Sequence, residues 1–325
     1  MTAFEPLSSS DTLTLVQYRG GALDGARSWA DLNLEERRRR ATLAAQHLDG
    51  AALWSLTEAH TLLYGRAGGS LSARTARSYR EGVRRFVRHA EHAGVSLIRP
   101  ARDAGPLYAR TLEAQGLAPS SVRVQLAAAR ALYKALRWAE VTALDPFSDT
   151  TAARDKTAAW DKRQPYLEEE VGALLAASGA RDRALILLCA HGGLRIMEAL
   201  ALTWGDIQGD TLTIRYGKGG KGRRVTCSGT LLNALETWCE VDGTTNGLII
   251  GASQTAARER LRALCQRAGV PYRGWHAFRH YAGTRLAAHT TLENAARHLG
   301  HSSIETTRVY AKWADRSLKD ELARW

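Results

Sequence analysis

Residues 275–310 read WHAFRHYAGTRLAAHTTLENAARHLGHSSIETTRVY, and the spacing within this stretch is the most informative in the chain. A His276-x-x-Arg279 pair is followed by Gly300-His301, and Tyr310 comes nine residues after His301. Arginine offers a planar fork of donors for phosphate oxygens, histidine carries a proton near neutral pH, and tyrosine offers a hydroxyl nucleophile. The stretch therefore predicts chemistry on a phosphodiester.

The composition is that of a globular protein with an anionic partner. The chain has 325 residues, enough for two domains, and a formal net charge of +12. Such an excess of positive charge favours a nucleic acid, with an anionic membrane surface as the rival partner. No apolar run approaches the ~18 residues of a spanning helix, and the basic helices lack a strongly apolar opposite face, so we predict no membrane partner.

The four cysteines predict neither a metal site nor a disulfide framework. Cys189, Cys227, Cys239 and Cys265 lack a Cys-x-x-Cys pair or any zinc-type spacing. Reduced thiols in the core of a cytosolic protein are the expected state, and no secretory leader is visible. We expect a cytoplasmic, nucleoid-associated protein without a metal.

Residues 1–50 are expected to form an N-terminal extension that is partly flexible. Its first part is rich in Ser, Thr and Gly, and a helix is predicted over residues 34–48. This helix carries the basic run Arg37–Arg40 after two glutamates, which favours a solvated face over a DNA contact.

Residues 51–147 are predicted to form a helical DNA-binding domain. Between Arg66 and Arg137 there are fourteen basic residues and only four acidic ones. Apolar residues recur with helical period on two helices, and each helix carries cations on another face. A helix that is merely solvated usually mixes charge signs, so we expect these stripes to contact DNA phosphates. The stripes consist of Arg77, Arg80, Arg84 and Arg88 in the first helix and Arg123, Arg130, Lys134 and Arg137 in the second.

A linker is predicted over residues 148–164, and a second domain over residues 165–325. This domain begins with helices and continues into two short strands, expected at residues 211–215 and 224–227. The glycine-rich stretch between them predicts a hairpin tip that carries Lys218 and Lys221. Such a tip can bring a lysine into a DNA groove, although a flexible turn with solvated lysines is the competing interpretation.

Taken in order, these motifs resemble the signature of the tyrosine recombinases, which include Xer-type resolvases, phage integrases and Cre-like enzymes. The resemblance covers roughly the carboxy-terminal half, and residues 66–137 are similar to the family's SAM-like core-binding domain. It implies a mainly α protein with a small β-sheet, arranged as a two-domain C-shaped clamp with a mixed α+β catalytic domain. The motifs that carry it are Gly193-Leu194-Arg195 with Glu198, Gly217-Lys218-Gly219, His276-x-x-Arg279, Leu299-Gly300-His301 and Tyr310, with Thr75-x-x-x-Tyr79 upstream.

The resemblance also implies a role for each site residue. Tyr310 attacks the phosphorus and forms a 3′-phosphotyrosyl bond, while Arg195 and Arg279 clamp the non-bridging oxygens. Lys218 protonates the leaving 5′-oxygen and is preferred over Lys221, which is assigned to DNA binding. The remaining assignments are His276 as the base for Tyr310, His301 as a donor to a phosphate oxygen, and His280 as a residue that orients its neighbours. For Glu198 two roles stay open: ordering the clamp, or acting as a helix cap or surface acid.

Further expectations concern partners and biological role. Family members act without a cofactor as four protomers on two DNA sites, so we expect a homo-tetramer, or a hetero-tetramer with a paralogue, on a double-stranded recombination site, with or without an accessory protein. The apolar segment after Tyr310 docks on a neighbouring protomer or folds on its own domain. The alternatives are a type IB topoisomerase-like enzyme and a catalytically silent DNA-binding protein. Chromosome-dimer resolution and mobile-element integration or excision are not distinguished by the sequence, although the two-domain plan leans toward Xer-like or Cre-like use.

Overall fold

The computed structural model describes residues 9–66, 68, 71–155, 157, 164–215 and 222–300. The chain divides into two compact units, Met1–Lys156 and Thr157–Trp325, which are described separately below. Within the described ranges, no helix is both long enough and apolar enough to cross a membrane.

The first unit is built from helices. Polar residues and glycine mark several of their ends. The fourth helix, for example, begins after Ser72, whose side chain accepts a hydrogen bond from the backbone N–H of Thr75, and it ends at Gly94 in a left-handed conformation. The helices are α1 (Ser9–Ala30), α2 (Leu34–Gln46), α3 (Gly50–Tyr64), α4 (Ala73–Ala93), α5 (Ala104–Ala114) and α6 (Pro119–Trp138).

An aromatic cluster occupies the centre of this unit. Phe86 of α4 contacts Tyr108 of α5, Tyr133 of α6 and Phe147, with ring centroids 5.0 to 6.0 Å apart. The periodic apolar residues predicted for the two basic helices are buried or partly buried here, which leaves most of the cations of these helices outside the core.

Residues 1–50, predicted as a partly flexible N-terminal extension, include residues that belong to the same core. Ala26 and Trp29 of α1 are buried, and the Trp29 indole donates a 2.9 Å hydrogen bond to Ser55 of α3. Part of the segment predicted as a linker is also attached to this unit. The backbone N–H of Ala153 donates to the Glu113 carboxylate at 2.8 Å.

The second unit combines helices with a small sheet. Its elements are α7 (Glu168–Ala176), α8 (Ala180–Ala190), α9 (Ile196–Leu200), β1 (Ile207–Gln208), β2 (Thr211–Ile214), β3 (Arg223–Thr226), α10 (Gly229–Asp242), α11 (Gln254–Arg267), α12 (His276–His289) and α13 (Leu292–Leu299), with a 3-10 turn at Trp204–Asp206. The mainly α class with a small β-sheet is confirmed.

The sheet is antiparallel, in the order β1-β2-β3. In its register Leu212 pairs with Val225 and Ile214 with Arg223, which places Leu212, Ile214 and Val225 in the core. Both predicted strands are present. Strand β2 is one residue shorter than predicted, and β3 begins and ends one residue earlier than predicted. Strand β1 was missed because two residues are too short to show a period.

The core of this unit surrounds α8. Every residue from Ala184 to Ala190 is buried, as its apolar run predicts. All four cysteines are free thiols, and only Cys239 is partly exposed. The helices that pack on α8 include α12, which carries the His-x-x-Arg pair.

Candidate active site

Arg279 is a buried arginine in the first turn of α12, with its side chain 1% exposed. Its Nη1 donates to the carbonyl of Gly193 and its Nη2 to the carbonyl of Leu299, both at 2.6 Å. Phe278 beside it is fully buried, which sets the rotation of the helix. A buried guanidinium is costly unless hydrogen-bonded, so these contacts fix its position and orientation. It thereby joins the turn after α8 to the end of α13.

Glu198 and Arg195 form a second part of the site at the start of α9. Arg195 is the N-cap residue and Glu198 occupies the third helical position. One carboxylate oxygen of Glu198 accepts from the backbone N–H of Arg195 at 2.9 Å, and the other accepts from its guanidinium at 2.7 Å. The side chain of Glu198 is 4% exposed and that of Arg195 is 30% exposed. Glu198 therefore caps the helix and orders the arginine at the same time, and its burial excludes a surface acid.

Arg223, the first residue of β3, is a site residue that sequence reasoning missed. Its Nη2 donates to Glu198 at 2.8 Å, and its Nε donates to the carbonyl of His298 at 3.2 Å. The expected strand began at Arg224, which left Arg223 in the glycine-rich loop. The alternation of side chains along a strand could have identified it. Arg223 lies two residues before the buried Val225 and therefore shares its face of the strand, whereas Arg224 lies on the other face.

The carboxylate of Glu198 thus lies within 4 Å of three guanidinium groups. Arg279 lies 3.9 Å from Glu198, and Arg195 and Arg223 bind it directly. Burial by itself raises the pKa of Glu198, but the hydrogen bond from Arg223, those from Arg195 and the nearby positive charge lower it to about 2. Glu198 is therefore ionised at neutral pH, and the three arginines exceed it by two positive charges. The cluster is suited to an anion with several oxygens.

Two histidines lie on the first turns of α12. His276 is exposed at the start of the helix, and His280 is partly buried one turn later. Their rings are perpendicular, with centroids 4.6 Å apart. The preceding Trp275 donates from its indole to the carbonyl of Ala257 at 3.0 Å, which fixes the start of the helix. His276 and His280 therefore lie side by side on the helix that also carries Arg279.

His298 ties the end of α13 to the end of α8. Its Nε2 lies 3.1 Å from the carbonyl oxygen of His191. Because a carbonyl can only accept, Nε2 carries the proton. Burial lowers the pKa of His298, and the positive charges of Arg223 and Arg279 lower it further, against the raising effect of the hydrogen bond to His191. The ring is thus a neutral structural donor.

Two glycines allow these turns to meet. Gly193 has φ +62°, and a Cβ atom there would lie 2.6 Å from Leu299. Gly300 ends α13 with φ +66°, and a Cβ atom there would lie 2.5 Å from Arg223. Both positions need glycine for conformation and for space. The turn at Gly193 and the end of α13 at Gly300 are therefore parts of one packed arrangement.

Four predicted site residues lie outside the described residues: Lys218, Lys221, His301 and Tyr310. The structure therefore places Arg195, Glu198, His276, Arg279 and His280 of the predicted catalytic set. Among the residues it describes, no cluster of three or more His, Cys, Asp or Glu side chains has an arrangement that could hold a metal ion.

Most of the predicted DNA-binding cations in the first unit are exposed. On α4, Arg84 pairs with Glu81 at 3.2 Å, and both side chains remain largely accessible. The exposed cations are Arg77, Arg80, Arg84 and Arg88 on α4 and Arg123 and Lys134 on α6.

Arg130 and Arg137 differ from the other two predicted DNA-binding cations of α6. Arg130 donates to the carbonyls of Phe147 and Thr150, and Arg137 pairs with Asp145 at 2.9 Å. Both arginines therefore hold the segment that follows α6 against the unit. The sequence could not separate them from the exposed cations, because their partners lie on a turn without a periodic pattern.

The run Arg37–Arg40 is also partly structural. Arg37 donates to the carbonyls of Trp29 and Leu32 and stacks on Trp138 at 4.4 Å. Its neighbour Arg39 pairs with Glu36 on the exposed face, as expected for a solvated helix. One arginine of the run thus anchors α1, α2 and α6 to one another.

Both units match known families. Residues 166–316 match the Phage integrase family, and residues 66–140 match its N-terminal SAM-like domain. A tyrosine recombinase XerC from Xanthomonas campestris pv. campestris (strain B100) is 31% identical over 256 residues, which span 74% of this chain and 79% of that protein. Another XerC, from Bifidobacterium longum (strain DJO10A), is 30% identical over 197 residues, or 54% of each chain.

Solved structures share the fold at lower identity. The XerH recombinase in a post-cleavage complex with a palindromic difH substrate has a TM-score of 0.65 at 19% identity, with 96% of both chains covered. A lambda integrase dimer on a COC′ core site has a TM-score of 0.63 at 16% identity, covering 79% of this chain and 76% of that one. A lambda integrase tetramer on a Holliday junction has a TM-score of 0.62 at 15% identity, covering 77% and 74%.

Proposed function

Because the chain belongs to the tyrosine recombinases of the phage integrase family, enzymes that cleave and rejoin DNA strands, we propose that it acts through a covalent bond between Tyr310 and a 3′-phosphate. The phenolic oxygen bonds to phosphorus, and the bond from phosphorus to the 5′-oxygen of the next nucleotide breaks. Attack by a 5′-hydroxyl of a partner strand reverses the step and releases Tyr310. The number of phosphoester bonds is unchanged, so no external energy source is needed.

The arrangement of Arg195 and Arg279 around the buried Glu198 is the observation that carries this proposal. In the transition state negative charge grows on the non-bridging oxygens, and fixed guanidinium groups stabilise it without reorganising. Glu198 holds Arg195 in place, and two carbonyls hold Arg279. The excess positive charge of the cluster supplies the attraction for a phosphodiester.

Proton transfer needs an acceptor for Tyr310 and a donor for the leaving oxygen. An ordinary tyrosine has a pKa near ~10 and is mostly protonated at neutral pH, so a base is required. We assign this role to His276, which is exposed at the start of α12, and we expect His280 to orient it. His301 donates to a phosphate oxygen, and Lys218, rather than Lys221, protonates the 5′-oxygen.

The exposed cations of α4 and α6 are proposed to bind DNA phosphates without reading base sequence. We retain the six exposed residues Arg77, Arg80, Arg84, Arg88, Arg123 and Lys134 for this role. Arg130 and Arg137 are left out because their guanidinium groups hold residues 144–150.

For the assembly we propose four protomers on two DNA sites, supported by the similarity in fold to the lambda integrase tetramer. A single gene product would give a homo-tetramer, and a paralogue would give a hetero-tetramer. Within the family we favour a Xer-like role over mobile-element integration, because XerC proteins are among the relatives that match over most of the chain.

Capture of the covalent intermediate tests the proposal. The full chain is incubated with nicked duplexes whose sequence is randomised on both sides of the nick, so that the short cleaved fragment diffuses away and traps the protein on DNA. Detergent-resistant adducts are isolated and their DNA is sequenced, which yields the preferred site. We expect adducts with the wild type and none with Tyr310→Phe, while both proteins bind the selected duplex equally. If the wild type forms no adduct with any sequence, the proposed function is wrong.

A further inference from the structure

Arg223 lies at the base of the strand pair β2–β3, where it contacts two other elements. Its side chain is 10% exposed, whereas the next residue, Arg224, is exposed on the opposite face of β3. A buried arginine is retained only where its donors find acceptors. Arg223 finds them in the carboxylate of Glu198 on α9 and the carbonyl of His298 on α13.

The second of these contacts lies at the end of α13. The last carbonyls of a helix have no partner within the helix. Two adjacent ones, of His298 and Leu299, are bound here by Arg223 and Arg279 respectively. Gly300 then turns the chain directly over Arg223, with no room for a Cβ atom. The residue after this turn is His301.

The first contact fixes the acid that orders the clamp. Glu198 Oε2 is shared between the backbone N–H of Arg195 and Nη2 of Arg223, while Oε1 is bound by the Arg195 guanidinium. Without Arg223 the buried carboxylate would lose one of its charged partners, and its two hydrogen bonds to Arg195 would not tie the pair to another element. Arg195 would then lose the fixed orientation that a phosphate clamp requires.

We propose that Arg223 is a positioning residue for strand cleavage, which sets the geometry of Arg195 through Glu198 and fixes the end of α13 up to the turn at Gly300. This inference rests on the proposed function. Arg223 acts through its neighbours and does not itself touch the phosphodiester. Its removal must therefore slow the chemical step much more than it weakens DNA binding.

Single-turnover cleavage of the selected nicked duplex tests this role in the full chain. We expect Arg223→Ala to slow adduct formation by about a hundredfold, the effect of a small misplacement of reacting groups, and to change the DNA dissociation constant by less than about threefold. Arg224→Ala is the matched control, since it removes the same charge one residue away. We expect it to cleave at the wild-type rate.

Two further variants separate positioning from simple loss of stability. Arg223→Lys keeps the charge but lacks the fork that reaches both acceptors, so we expect a rate between those of the wild type and Arg223→Ala. A double-mutant cycle with Glu198→Gln then measures the coupling. If Arg223 acts through Glu198, the double variant is much less impaired than the product of the two single effects predicts.

Each outcome has a distinct meaning. Wild-type cleavage rates in Arg223→Ala, parallel losses of binding and cleavage, or effects that multiply in the double variant would overturn the positioning role while leaving the recombinase proposal intact. Absence of the adduct in the wild type itself contradicts the proposed function, and the inference with it.

Discussion

Glu198 and Arg195 are joined by two hydrogen bonds of different kinds, one from the backbone N–H at 2.9 Å and one from the guanidinium at 2.7 Å. The side chain of Glu198 thus caps α9 and orients Arg195 at the same time. This relationship makes the stability of the second unit depend on the ionisation of a single buried acid.

The first prediction concerns acid stability. The pKa of Glu198 is depressed from 4.5 in the unfolded chain to about 2 in the folded protein. The ionised carboxylate therefore stabilises the fold fully above its unfolded pKa, and this stabilisation is lost as the pH falls from 4.5 to about 2. The contribution is on the order of 3 kcal/mol. We expect Glu198→Gln to be less stable than the wild type at neutral pH and to show a weaker loss of stability between about pH 5 and pH 2. Urea denaturation across this range measures both, and parallel pH curves for the two proteins would contradict the assignment.

The second prediction separates the two arginines of the clamp. Arg195→Lys keeps a charge at a partly exposed position but loses the fork, so we expect cleavage to slow by about a hundredfold with little change in stability. Arg279→Lys leaves buried carbonyls of Gly193 and Leu299 without their partner, so we expect an additional loss of roughly 1–3 kcal/mol in the free energy of unfolding.

The measurement for this pair is single-turnover cleavage together with thermal unfolding of both variants. Equal melting temperatures for the two variants would show that the contacts of Arg279 do not stabilise the fold.

A third prediction uses two glycines with similar backbone conformation. Gly193 has φ +62° and Gly209 has φ +58°, but only at Gly193 would a Cβ atom meet another side chain, that of Leu299. Alanine costs about 1 kcal/mol at either position because of the left-handed conformation. We expect Gly193→Ala to lose roughly 1–3 kcal/mol more through overpacking. Equal losses in chemical denaturation would mean that the close approach of the turn to α13 is not energetically important.

The fourth prediction concerns the first unit. Reversing the charges of Arg80, Arg84 and Arg88 should weaken binding to all DNA sequences, and the salt dependence of the logarithm of affinity should flatten by about one unit for each lost phosphate contact. Arg130→Met is the internal control, because Arg130 holds the segment after α6. It should lower stability and leave the salt dependence unchanged. An unchanged affinity in the triple variant would make that stripe a solvated surface.

The sequence predicted much of the site because the motifs are local. The His-x-x-Arg pair lies within one helical turn, and the Arg195-x-x-Glu198 pair spans a helix cap, so spacing alone brings each pair together. Helix periodicity likewise identified the apolar faces of α4 and α6.

The features that sequence missed depend on contacts between distant segments. Arg223 acquires its role from Glu198 and His298, which are 25 and 75 residues away. Arg130 appears identical to an exposed cation until the turn after α6 folds over it. Such contacts leave no periodic pattern in the sequence, because each of the two segments contributes only one residue to the contact.

Identification of the residue that becomes linked to DNA tests the central claim most directly. The covalent adduct captured on the selected nicked duplex is digested with protease and nuclease, and the modified peptide is mapped by mass spectrometry. The account predicts a single nucleotide-bearing peptide with the phosphoryl group on Tyr310, and no such peptide from Tyr310→Phe. A phosphoryl link to any other residue, or an adduct that persists in Tyr310→Phe, would contradict it.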